Sequence, residues 1–221
     1  LHKYRIKAYN SGAQPAHAPN AYRIFTTICV ALAVLVMTAA GALAAPKPDL
    51  WARWDKHDAA STARIDHTEW SRLIAAYGRS SESGVKLFAY GSVTIADRTA
   101  LESYVTKLSA TPISTFKRRE QFAYWANFYN ALTVKVILDH YPVASIRDID
   151  ITPSFFADGP WGAKLATVEG EAISLDDIEH RILRPIWKDP RIHYIVNCAS
   201  IGCPDIPPVA LTADNADKLM N

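Results

Sequence analysis

The sequence predicts an α+β fold: mixed helices and a small sheet around one long buried helix, Arg118–His140. Two observations predict it. Within that stretch Phe122, Trp125, Phe128, Tyr129, Leu132, Val136 and Leu138 cover most of the helix circumference, and a helix apolar nearly all round belongs in a domain centre. Along the chain, helical patterns come first, and short strands mixed with helices follow. That order suits α+β better than an alternating α/β layout.

Residues 1–44 read as a secretory signal. They hold Lys3, Arg5, Lys7 and Arg23 and no acidic residue, followed by an apolar centre from Ile28 to Met37 and the exit Ala42-Leu43-Ala44. A basic start, an apolar core and an Ala-x-Ala exit are the three parts of such a signal, with cleavage expected after Ala44. The apolar run also approaches the roughly 20 residues of a membrane span, so the alternative is an uncleaved anchor. The expected location is periplasmic or secreted, with membrane contact only through this segment if it is kept. Residues 45–49 form a linker, and residues 50–221 a single domain. The chain stops inside a helical pattern, Ala213–Met220, so the domain is expected to be incomplete at its C-terminus.

Charge follows from that division. The chain has 24 basic and 22 acidic residues, and setting the four N-terminal cations aside leaves 20 against 22. The only basic run beyond them is Lys117-Arg118-Arg119. Nucleic acid, which needs a basic face to neutralise phosphates, is excluded as a partner, and the partner expected is an envelope ligand or substrate. No cofactor motif is present.

The elements read as follows. Leu50–His57 and Thr68–Tyr77 are helices with Trp51, Trp54, Trp70, Leu73, Ile74 and Tyr77 on their apolar faces. Between them, Asp58–Glu69 has the outline of a calcium loop. Ala60, Thr62 and Ala63 stand where oxygen ligands and the turn glycine are needed, so no calcium site is expected. Asp97–Leu108 is a helix, and Pro112 breaks the chain after it. Arg118–His140 is the longest helix, stopped by Pro142. Leu165–Val168 and Ala172–Ile173 flank Glu169-Gly170 as a hairpin. Ser174 and Asp177 make a capping box that opens a helix over Leu175–Leu183. Arg191–Cys198, rich in β-branched and aromatic residues, reads as a buried strand, and Ala199–Pro208 as a loop.

Three groups of residues could carry chemistry. Glu120, Asn127 and Asn130 fall within about one quarter of the Arg118–His140 circumference, a polar stripe on a buried helix. They either bond neighbouring backbone and pin loops or line a cleft. Glu179 falls in the middle of the apolar stripe Leu175, Ile178, Ile182 and Leu183, with His180 to one side. It is either paired with Arg181, Arg184 or Arg191, or held neutral enough to act as an acid or base.

The third group is Cys198 and Cys203, with His193. On a strand His193 and Cys198 face opposite ways, whereas His193 and Asn197 share a face and Cys203 is free to approach His180. The cysteines read as a loop disulfide, as a nucleophile activated by a histidine, as two inert thiols, or as part of a metal site with His193. The metal reading lacks any Cys-x-x-Cys or His-Glu-x-x-His spacing, and no metal is expected.

Glu120–Lys135, His140–Asp148, Ser174–Leu183 and Asp189–His193 running on to Cys198-Ala-Ser-Ile-Gly-Cys-Pro204 together resemble the family called domain of unknown function 547. The resemblance spans roughly Trp51 to Asn221, with four separated motifs in the same order. It implies a family of exported bacterial proteins, also found with other domains in plants and animals, whose activity is unestablished. Its motif residues map onto Glu120, Asn127, Asn130, Glu179, His180, His193, Cys198 and Cys203. It further implies that the domain continues past Asn221, and it matches Asp58–Glu69 only loosely.

Two functions compete. One is a thiol-dependent hydrolase or acyl-transfer enzyme acting on amide or ester bonds in the cell envelope. Cys198 or Cys203 would be its nucleophile, His193 or His180 its base, and Asn127 or Glu179 its orienting group. The other is a non-catalytic binding or assembly module with a Cys198–Cys203 loop disulfide.

Overall fold

In the computed structural model the described residues are 49–81, 84, 86–153, 159–199 and 203–221. The expected signal, residues 1–44, and most of the expected linker, residues 45–49, lie outside them. The described residues belong to one contact unit, Pro46–Asn221.

The centre is a helix over Arg118–His140, the same span the apolar pattern predicts. It is the third of the longer helices, after α1 (Thr68–Tyr77) and α2 (Ile95–Ser109), and is labelled α3. Of its 23 residues 18 are buried, so it has no solvent face to leave polar. It packs against α2 on one side and against the helical segment that starts near Leu175 on the other. Aromatic rings pack along α3. Trp54 meets Trp125 edge-on at 5.1 Å, and Tyr124 meets Trp125 at 4.8 Å. Edge-to-face pairs of this kind add to the area they bury.

Two antiparallel hairpins flank the helices. β1 (Gly78–Ser80) pairs with β2 (Lys86–Phe88), and β3 (Ala166–Val168) pairs with β4 (Glu171–Ile173). The second is the expected hairpin. Its two turn residues, Glu169 and Gly170, have φ of 47° and 84°, the doubly left-handed turn that matches strand twist. The α+β class therefore holds, with the sheet reduced to two separate pairs among the described residues.

Two expected elements differ. Leu50–His57 is not an α-helix but a 3-10 turn at Ala52–Asp55, after which Lys56 is extended. Trp51 and Trp54 are three residues apart, the period of that tighter turn. Arg191–Cys198 is not a strand. A 3-10 helix covers Pro190–Tyr194, opened by the Asp189 side chain accepting the Arg191 N–H and by Pro190 in the first turn. Ile192 is 1% exposed and Tyr194 62% exposed. A strand would have put both on one face, while the buried pair Ile192 and Ile195 follows the three-residue period. The facing argument for His193, Asn197 and Cys198 falls with the strand.

The predicted helix after Leu175 is present, but its segment Asp177–Leu183 is π-helical before it continues as α4 (Arg184–Trp187). Its capping box is formed: the Ser174 hydroxyl accepts the Asp177 N–H, and Asp177 Oδ2 accepts the Ser174 N–H. Pro185 explains the wide register. In an α-helix its ring would strike the Arg181 carbonyl, four residues back. The wider turn avoids that clash, and the Arg184 N–H donates to Glu179, five residues back. In this register the His180 carbonyl would face Pro185, which has no N–H to offer. The Asp49 N–H fills that position at 3.1 Å, and the Trp51 N–H bonds the Arg181 carbonyl at 2.9 Å. The Arg181 guanidinium also lies over the Trp51 ring at 4.6 Å. A short helix, α5 (Ala216–Leu219), follows near the end of the chain.

Candidate functional site

The polar stripe of α3 holds loops. Asn127 Nδ2 donates to the Leu211 carbonyl at 2.8 Å, and its Oδ1 accepts the Leu211 N–H at 2.9 Å. Asn130 Nδ2 donates to the Ile195 carbonyl at 2.8 Å, and its Oδ1 accepts the Asn197 N–H at 2.8 Å. Each amide satisfies backbone groups as a neighbouring strand would. Both side chains are fully buried, where an unpaired amide is costly. Glu120 does the same for a different loop, accepting from Arg64 at 2.8 Å and from the Ile65 N–H at 3.3 Å.

Asn130 grips the chain just before Cys198, and Asn127 grips it after Cys203. Between those grips Cys198 and Cys203 are joined as a disulfide, their Cα atoms 6.0 Å apart. Asn197 spans the same loop: its Nδ2 donates to the Pro204 carbonyl, and its Oδ1 accepts the Ala199 N–H at 2.8 Å. This lets Ala199 take a left-handed φ of 57°.

The disulfide loop forms one wall of a cleft of about 530 Å³, through Asn197, Ala199, Cys203, Asp205 and Ile206. The opposite wall is the β1–β2 hairpin with Tyr90 and the last turn of α1. Leu87 is 55% exposed on that wall. Burial raises the Tyr90 phenol above its ordinary range, so its hydroxyl stays protonated. Sequence reasoning missed this hairpin wall. Its only signals were two three-residue strands around Gly84, which has a φ of 86°.

A second cluster lies on the π-helical segment. Glu179 Oε1 accepts from Arg184 Nε at 3.0 Å and from Arg184 Nη2 at 2.6 Å. Arg184 is one of the three arginines that the sequence offers as a partner for Glu179. The same Nη2 lies 3.5 Å from His193 Nδ1, so the guanidinium joins Glu179 to the exposed His193. Burial drives the Tyr129 hydroxyl well above its usual range, with Glu179 adding to the effect. Burial also raises the Asp176 carboxyl, and nearby His180 opposes that shift. Buried His180 has no hydrogen-bond partner on Nδ1 among the described residues. Asp176 and Tyr129 were not singled out by sequence. Asp176 nevertheless lies within the Ser174–Leu183 motif, and Tyr129 within Glu120–Lys135.

The structure thus brings Glu179 and His193 together through Arg184. It brings Asn127 and Asn130 to the two ends of the disulfide loop. No contact between His180 and either cysteine is found among the described residues, and Glu120 serves another loop. Both sulfurs are bonded to each other, so neither is free to form the His193, Cys198 and Cys203 metal site. Among the described residues no group of three His, Cys, Asp or Glu side chains is placed to hold a metal ion.

Comparison with known proteins adds one result. Residues 113–221 match the family model described as "Protein of unknown function, DUF547". No curated protein and no solved structure matches the chain. The matched residues include α3, the π-helical segment and the disulfide loop, whereas the hairpin wall of the cleft lies upstream of them. Residues 113–221 thus carry a domain of the DUF547 family of proteins of unknown function.

Proposed function

We infer that the part of the chain from Pro46 onward is an exported, non-catalytic binding module whose ligand occupies the cleft between the β1–β2 hairpin and the disulfide loop. The observation that carries this reading is the Cys198–Cys203 bond in the cleft wall. A sulfur in a disulfide is not a nucleophile toward an ester or amide. Two further points agree with it. Asn127 and Asn130 have their amide groups engaged on backbone, and Glu179 is paired with Arg184. Export rests on the N-terminal pattern of charge and apolar residues.

The test is alkylation of the native, unreduced protein with iodoacetamide, followed by peptide mass analysis. Cys198 and Cys203 should remain unmodified and cross-linked until a reductant is added. An alkylated Cys203 with a depressed pKa, in protein that turns over an ester, would instead establish the thiol-enzyme reading. Cys203 lines the cleft, so the reduced protein would present a thiol there. Sequencing the N-terminus of protein recovered from outside the cytoplasm tests export, with Ala45 expected first.

A further inference from the structure

The bond that removes a nucleophile from the cleft wall leaves an electrophile there. Thiol–disulfide exchange begins when a thiolate attacks one sulfur and the other sulfur leaves, and access decides which sulfur is attacked. Among the described residues the lining of the cleft includes Cys203 and not Cys198. Cys203 is also only half-buried. A thiolate that enters the cleft therefore meets Cys203 first, with Cys198 as the leaving group. The loop is also held without the sulfurs. Asn130 grips Ile195 and Asn197 on the Cys198 side, and Asn127 grips Leu211 on the Cys203 side. The bond from Asn197 Nδ2 to the Pro204 carbonyl ties the residue before Cys198 to the residue after Cys203. With these bonds kept, the two cysteines stay near their present Cα separation of 6.0 Å after the disulfide opens, close enough for it to close again.

We propose that the Cys198–Cys203 bond is a thiol-exchange site, at which a low-molecular-weight thiol in the cleft attacks Cys203 Sγ and displaces Cys198. The old S–S bond breaks, a new one forms between the ligand sulfur and Cys203, and the electron pair of the old bond leaves on Cys198 as its thiolate. One disulfide replaces another, so this step needs no outside oxidant or reductant. Attack by Cys198 on the mixed disulfide restores the loop bond and expels the thiol. Attack by a second thiol molecule instead leaves both cysteines reduced and the ligand oxidised to its own disulfide. The proposal rests on the cleft and the disulfide of the binding-module reading and gives that cleft a covalent ligand class. The volume of about 530 Å³ lies within the range of roughly 300–1,000 Å³ seen for small-ligand sites, which suits a free thiol better than one carried on a folded protein.

The experiment exposes the full, unreduced chain to glutathione for short intervals, quenches with N-ethylmaleimide and maps the modified peptides, which keeps Cys29 apart. Glutathione on Cys203 with N-ethylmaleimide on Cys198 should exceed the reverse pattern by at least about tenfold. A synthetic disulfide peptide covering Cys198–Pro204 gives the ratio without the fold, which should lie within about threefold of unity. In single-cysteine variants, Cys203 in Cys198→Ser should take glutathione from glutathione disulfide at least about tenfold faster than Cys198 does in Cys203→Ser. A reduced protein dithiol of the thioredoxin kind serves as the rival source of the thiol and should open the bond more slowly than glutathione at equal thiolate concentration.

Adducts shared equally between the two sulfurs, or no more selective than in the peptide, overturn the proposal. So does a bond that resists glutathione and opens only to the protein dithiol. In those cases the bond still shields both cysteines from iodoacetamide, and the binding-module reading stands. If Cys203 is alkylated before any thiol is added, the disulfide is absent and both fail.

Discussion

The backbone N–H of Asn197 donates to the side-chain oxygen of Asn130 at 2.8 Å, from a loop to a helix 67 residues earlier. With the matching bond from Asn130 to the Ile195 carbonyl, it sets where the disulfide loop leaves the core. The loop's other end is set by Asn127 on Leu211. Asn127 and Asn130 are therefore positioning residues for the cleft wall.

Replacing Asn130 with Ala leaves a buried carbonyl and a backbone N–H without their partners. At about 1–3 kcal/mol for each unsatisfied group, the loss in unfolding free energy should be about 2–6 kcal/mol. Asn127→Ala should cost a similar amount. Urea unfolding measures both. A loss below about 1 kcal/mol for either would mean that water replaces the amide, and the clamp argument would fail.

The Cys198–Cys203 bond closes a short loop. In the chain-entropy account such a ring stabilises by about 2 kcal/mol, less than a long one would. Reduction should therefore lower stability modestly and leave helical content intact by circular dichroism, since Asn197, Asn127 and Asn130 still hold the loop. Global unfolding on reduction would show that these hydrogen bonds depend on the disulfide.

His67 predicts a pH dependence. It is buried, with Nδ1 2.6 Å from the Tyr104 hydroxyl and no described partner for Nε2. Burial, helped by Lys107, holds its pKa down to about 4 from 6.5. The folded state therefore binds the proton less readily than the unfolded chain. The neutral ring's full contribution is present above pH 6.5 and is lost as pH falls through 4, by about 3 kcal/mol in all. Asp97, lowered by its bonds from Tyr77 and Arg72, loses stability in the same direction, but only below the ordinary carboxylate range. His67→Phe should flatten the curve between pH 6.5 and 4 and leave the steeper acid limb. An unchanged slope in that window would place the titration elsewhere.

Much of this fold is legible in sequence. The span of α3 follows from its apolar circumference and Pro142, and the β3–β4 turn from Glu169-Gly170. The loop over Arg191–Cys198 was misread because its β-branched residues outweighed the Asp189-Pro190 start signal. The spacing of Ile192 and Ile195 had carried the right period. The polar stripe showed where buried amides lie but not which backbone they serve, because Leu211 and Ile195 are brought to α3 only by the whole fold. The cleft was not legible for the same reason. Phe88 and Asn197 share it although they are far apart in the chain, and no local pattern joins them.

The last prediction concerns Pro185 and the Glu179–Arg184 pair. The π register places residues five apart on neighbouring positions, and this brings Arg184 Nη2 to 2.6 Å from Glu179 Oε1. Pro185→Ala removes the ring that bars an α-helical turn and restores an N–H that can bond the Arg181 carbonyl. An α register turns each residue through a larger angle, so Arg184 should swing away from Glu179. The Trp51 N–H would then compete for an occupied carbonyl. Two measurements follow: amide hydrogen exchange at Asp49 and Trp51 should accelerate in Pro185→Ala, and trypsin should cut more readily at Arg53. Arg184→Met in the natural background should cost about 2 kcal/mol by stranding a largely buried carboxylate. In Pro185→Ala the same substitution should cost much less, because the pair is already apart. Equal costs in the two backgrounds would show that the pair does not depend on the π turn, and that Pro185 is not what sets it.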